Sequence, residues 1–95
     1  MQLGILRLEL AIEQAFSLKD KRSVLNRLRE RIKKRFNVSI AEIEDQDVWN
    51  IATLAIVIVS NDQRFNNKVL DKVVDHIEQF HDCEIDDISM EFLAL

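Results

Sequence analysis

Half of the residues from Lys19 to Phe36, KDKRSVLNRLRERIKKRF, are lysine or arginine, in a chain whose formal net charge is −4. Residues 19–35 hold nine basic and two acidic side chains, a net of +7, while the remainder holds four basic and fifteen acidic, a net of −11. Clustered cations of this kind neutralise phosphates, so the expected chemistry is a phosphate-backbone footprint on nucleic acid. On a helical wheel Arg22, Arg29 and Lys33 fall on one side of an apolar stripe, and Arg27, Arg31 and Lys34 on the other. Within the segment only Glu30 is well placed to pair, with Lys34 four residues on and Arg27 three back. The plainer alternative is a solvated face, or one whose nearer flank pairs with Asp62, Asp71, Asp75, Glu78 and Asp82 of a second helix.

Ser17, Lys19, Lys21 and Arg22 form a second, weaker candidate. Free N–H groups and the positive end of a helix dipole favour an anion there, although a serine at such a place is commonly a plain cap. Four acids, Glu42, Glu44, Asp45 and Asp47, crowd one turn. Their spacing matches no calcium loop, so a solvated turn is expected. His76 and His81 are five residues apart, roughly 140° around a helix, which separates them as metal ligands. No metal and no cofactor is expected. Nor does any element align Cys83 or a serine with a histidine as a nucleophile, so no catalytic residue is assigned and no enzyme is expected.

Composition narrows the classes further. At 95 residues, 47% hydrophobic and 32% charged, the chain suits one globular domain over residues 1–95. Cys83 is the only cysteine, which rules out an intrachain disulfide and fits a reducing cytoplasm. There is no proline, and Gly4 is the single glycine, so a glycine-rich phosphate cradle cannot be built. Arg7 and Glu9 interrupt the N-terminal apolar run, and ATLAIVIV is far too short to span a bilayer. A cytoplasmic protein with no membrane contact is expected.

The elements that would carry these residues follow from periodicity. Residues 3–13 alternate, with Leu6, Leu8, Leu10 and Ile12 on one side, as in a half-buried strand. Ser17 with Asp20 resembles a capping box, and Val24, Leu25, Leu28 and Ile32 give a helical stripe that ends near Phe36. NVSIAEIE (37–44) reads as a second strand. WNIATLAIVIVS (49–60) reads as a central strand covered on both faces, with Trp49 a packing anchor. Phe65, Val69, Leu70, Val73, Ile77 and Phe80 trace a second helix, and residues 84–94 a last strand. The order βαββαβ predicts an α+β, ferredoxin-like fold: a four-stranded antiparallel sheet with both helices on one face.

GILRLEL (4–10), SLKDKR (17–22), FNVSIAE (36–42), the Asp47-Val48-Trp49 region into ATL (52–54), and VSND (59–62) before LDKV (70–73) together resemble the YlxP-like family of small bacterial proteins. The resemblance implies a ferredoxin-like domain and no established activity. It also implies a setting near RNA or the ribosome, since genes of the family often lie beside those of translation and ribosome-maturation factors. It transfers no site residue.

The expected function is a non-enzymatic protein that binds structured RNA or a ribosomal particle through residues 19–35. The open sheet face shows Arg7, Glu9, Ala11, Thr53, Ala55, Val57 and Val59, none aromatic, so base stacking is not expected there. That small apolar face suggests a homodimer as the alternative function. A third possibility is a small-molecule regulatory or enzymatic domain using the start of the first helix.

Overall fold

A computed structural model describes the whole chain, Met1–Leu95. Its elements are β1 (Gln2–Ala11), α1 (Leu18–Arg35), β2 (Ser39–Glu44), β3 (Ile51–Ser60), α2 (Gln63–Glu78) and β4 (Glu84–Ala94). The strands form one antiparallel sheet in the order β2-β3-β1-β4. This is the α+β, ferredoxin-like arrangement that the element order predicts.

Alternation in β1 and β3 sends Leu6, Leu8, Leu10, Ala52, Leu54, Ile56 and Ile58 to one face. There they join Leu25, Leu28 and Ile32 of α1 and Leu70, Val73 and Ile77 of α2 in a single buried cluster. Both helices therefore cover the same face. The other face of β3 carries no helix: Val59 stands 59% exposed, and Thr53 alone is buried there, beside Asp45. Gly4 lies on the covered face, beneath Leu70 and Asn66 of α2. A Cβ there would meet Ile58 Cγ2 and Leu70 Cδ1, each at 3.1 Å.

Two bulges reset the alternation. In β4, Asp87 pairs with Glu9 but Ile85 pairs with Leu10, so Asp86 is the extra residue and Ile85 and Ile88 both face the core side. In β2, Glu42 pairs with Leu54 and Glu44 with Thr53, so Ile43 is extra. Plain alternation would put both glutamates on one face. The bulge turns Glu42 under α1 and Glu44 onto the open face.

α2 differs from its expected stripe by one residue. Phe65 is exposed, and Asn66 is fully buried in its place. The Asn66 amide donates to the Gln2 carbonyl at 3.2 Å and to Gln63 Oε1 at 2.8 Å, while its oxygen accepts from Ser60 Oγ at 2.7 Å. A buried amide so fully paired costs little and fixes how the start of α2 seats on β1. No helix is long and apolar enough to cross a membrane.

Candidate nucleic-acid interface

α1 starts as its sequence dictates. Ser17 is the N-cap and its Oγ accepts from Asp20 N at 3.1 Å. Asp20 reaches back to the N–H of Phe16, at 3.0 Å, rather than to that of Ser17. The stripe Val24, Leu25, Leu28 and Ile32 is buried, and the charged residues rise on either side of it.

Lys21 leaves the candidate anion site. Its side chain is buried along the apolar stripe, and its Nζ donates to the carbonyls of Asp45 at 2.7 Å and Val48 at 2.6 Å. Glu42 Oε2 lies 2.7 Å away as an ion-pair partner and has no hydrogen-bond donor of its own. Two donors are spent on carbonyls, the charge faces Glu42, and the side chain is only 1% exposed, so nothing is left for an external anion. Ser17, Lys19 and Arg22 remain exposed at the start of the helix.

The acid cluster is divided as well. Glu42 pairs with Lys21, and Glu44 pairs with Arg7 across the open face at 2.8 Å. Asp45 adopts φ 58°, the left-handed turn conformation that Asp tolerates, and accepts weakly from Thr53 Oγ1 at 3.4 Å. No shared ligand position survives this separation.

The two flanks of α1 have different neighbours. On the inner flank Arg27 pairs with Asp82, and Arg27 and Arg31 lie over the Phe80 ring at 5.9 and 5.2 Å from its centroid. The acid comes from just beyond α2; Asp71, Asp75 and Glu78 form no ion pair, and neither does Glu30. On the outer flank, towards β2, Arg29 lies beside Leu25, Ile32 and Ile40, with its Nε covered and unpartnered. Arg22, Arg29 and Lys33 have no carboxylate within 4.0 Å. Of the nine cations in residues 19–35, only Lys21 and Arg27 are ion-paired, so seven have no carboxylate partner.

Where α1 ends against α2, Arg35, Phe36, Lys72, Asp75, His76 and Gln79 line an open cleft of about 350 Å³. Burial first, then Arg35 and Arg31, hold His76 below its ordinary pKa, and its Nε2 is covered without a partner. Phe36 meets the imidazole edge-on at 6.0 Å. Cys83 is buried, and desolvation, helped by Asp82, pushes its pKa up to about 11, so it is a poor nucleophile.

Sequence reasoning misses two residues beside the start of α1. Trp49 is not an anchor: it is 42% exposed and leans on Phe16, itself 76% exposed, with ring centroids 6.3 Å apart. No periodicity reports on Phe16, which lies in the loop before the cap. Lys21 did leave a signal, because residues 21, 24, 25 and 28 share a helical face.

Residues 3–90 match the family described as "Protein of unknown function (DUF503)". The chain is 39% identical over 82 residues to "Uncharacterized protein YlxP" of Bacillus subtilis (strain 168), which covers 86% of this chain and 89% of that protein. Among solved structures it is similar to the de novo designed protein Foldit4, with a TM-score of 0.56 at 10% identity, covering 100% of this chain and 99% of that one. It is also similar to the structural-genomics protein YJCS, with a TM-score of 0.55 at 12% identity, covering 97% and 99%. These two likenesses are of fold alone. By the family match and the identity to YlxP, the chain belongs to the DUF503 family of YlxP-like proteins, whose function is unknown.

Proposed function

We propose that the protein is a non-catalytic RNA-binding protein of the cytoplasm, acting on structured RNA or a ribosomal particle through the outer flank of α1. One observation carries this: Arg22, Arg29 and Lys33 stand on one side of an 18-residue helix with no carboxylate within 4.0 Å, in a protein of net charge −4. Were the cations there only for solubility, the abundant acids would be expected to interleave with them. Instead the acids gather elsewhere, and an unneutralised flank retains its attraction for phosphate. Positions 22, 29 and 33 span about 16 Å along the helix, room for two or three phosphates. Lys34 and Arg35 extend the surface to the helix end, and Arg27 and Arg31 border it on the inner side.

The test is binding of an RNA hairpin with a single-stranded tail, followed by fluorescence anisotropy at rising KCl. Reversal of Arg22, Arg29 and Lys33 to Glu should weaken binding at least tenfold and lower the log–log salt slope by about 2, at roughly 0.7 per phosphate. Reversal of Arg64, Lys68 and Lys72 changes net charge equally but should have little effect. Equal losses from the two triple variants, or binding indifferent to salt, would remove the assignment.

A second use, self-association through the open sheet face, is favoured by its register. Leu93, Leu3 and Val59 form one cross-strand row, and Ile5 with Val57 the next, giving an apolar end to that face. Light scattering of the wild type and of Val59→Lys checks it, and a monomer at all concentrations would exclude it.

A further inference from the structure

The loop before α1 and the loop between β2 and β3 each hold out one large aromatic side chain, and the two rings meet. Phe16 occupies the position before the N-cap. A hydrophobic residue there ordinarily folds onto the fourth helical residue. In this chain that residue is Lys21, which is turned inward and buried, so Phe16 has no such partner and stands 76% exposed. Trp49 sits beside it, 42% exposed, with its ring tilted 46° to that of Phe16.

Neither ring is on a loose loop. The Phe16 N–H bonds to Asp20 Oδ2 at 3.0 Å, and Ile12 N donates to the Asn50 carbonyl at 2.8 Å, joining the two loops directly. Lys21 clamps the other loop through the Asp45 and Val48 carbonyls, and Val48 N closes the turn on Asp45 O at 3.0 Å. Burying a lysine to hold a turn is an expensive solution if the turn serves only as a connection. What it achieves is a fixed position for the residue that follows, Trp49. Two rings held ready in the free protein lose little entropy on meeting a third flat group.

The surroundings specify that group. Lys19 and Arg22, exposed in the first helical turns and free of carboxylate partners within 4.0 Å, attract a phosphate. Asp20 and Asp45 each accept one internal hydrogen bond, but with Glu13 and Asp47 they are exposed and repel phosphate from the loop side. The phosphates of a bound strand are therefore steered along α1, leaving only an uncharged base to meet the rings. A nucleotide would use both the rings and the cations.

We propose that Phe16 and Trp49 form a stacking platform for one unpaired RNA base, with the adjoining phosphates led over Lys19 and Arg22 onto the outer flank of α1. This rests on the RNA-binding assignment and adds to it a requirement for unpaired nucleotides. Stacking moves off the sheet, where no aromatic side chain is available, to the pole of the helix.

Trp49 is the only tryptophan and the chain has no tyrosine, so tryptophan fluorescence reports this site alone. Titration with a short uridine–adenosine single strand should quench it, and a blunt duplex of the same length should not. Phe16→Leu, which keeps an apolar side chain but removes the ring, should weaken single-strand binding roughly tenfold, in the range found for base–aromatic stacking. Phe16→Tyr should restore it. Duplex binding should be unchanged in both variants, and circular dichroism should show an intact fold. If single strand and duplex bind alike and Phe16→Leu alters neither, the platform is wrong while the α1 assignment stands. If no RNA binds in any form, both fail. Quenching by an apolar helical peptide and by no oligonucleotide would assign the rings to a protein partner and overturn the proposal.

Discussion

Lys21 shows how one side chain can reverse its apparent role. It lies in the most basic stretch of the chain, yet it is 1% exposed and spends its charge on Glu42 and two carbonyls. Replacing it by Met would leave the Glu42 carboxylate and the Val48 carbonyl without their partner, and the Asp45 carbonyl with only the Val48 N–H, a loss of about 3–5 kcal/mol. Urea unfolding should show this as a lowered midpoint, and a change under 1 kcal/mol would mean the pair is relaxed in solution. Cys83 permits a second check at this scale. With its pKa pushed up to about 11, its thiolate is scarce at pH 8, and alkylation by iodoacetamide should be roughly a hundredfold slower than in the urea-unfolded chain. Comparable rates would contradict its burial.

Elements carry the next layer of the account. The periods of β1, α1 and β3 were plain in the sequence because each has a repeating apolar face, and those faces form the core. What the periods did not disclose were the places where a face is broken on purpose. The bulge at Ile43 separates Glu42 from Glu44, and only paired registers reveal a bulge. Asn66 replaces Phe65 in the buried stripe because Ser60 and Gln2 supply its hydrogen-bond partners, which hydropathy cannot anticipate. The candidate cations were legible by type and by wheel position, but their neighbours were not. Phe80 and Asp82 claim the inner flank only once α2 has packed antiparallel to α1.

α2 packs over Gly4 of β1, where Leu70 Cδ1 of the helix and Ile58 Cγ2 of β3 each stand 3.1 Å from an added Cβ. Gly4→Val should therefore force the helix outward and cost about 1–3 kcal/mol in chemical unfolding. A neutral result would mean that α2 yields freely there. The α1–α2 contact also has a pH signature through His76, whose folded-state pKa is lowered by burial, Arg35 and Arg31. The unfolded chain then binds the proton more readily. Stability should fall as pH drops below the ordinary histidine value of about 6.5, and level off below the lowered one. His76→Gln should flatten that part of the profile in thermal melts, and an unchanged slope would assign it to other groups.

At the scale of the whole molecule, the protein concentrates its positive charge on one helix, α1. Its extents are 42 × 22 × 18 Å, and seven cations without an ion pair lie along α1, with only Arg64, Lys68 and Lys72 on α2, while Glu84, Asp86, Asp87 and Glu91 lie along the far edge strand, β4. An acidic total with a basic ridge disfavours indiscriminate adhesion to polyanions and favours approach in one orientation. RNA binding through the outer flank of α1 is the central claim, and crosslinking in growing cells, followed by sequencing of the recovered RNA, tests it in place. The wild type and the Arg64/Lys68/Lys72→Glu variant should recover the same enriched RNA segments, and the Arg22/Arg29/Lys33→Glu variant, equally abundant and folded, should recover none above background. Recovery from the outer-flank variant matching the wild type, or no RNA from the wild type, would contradict the account.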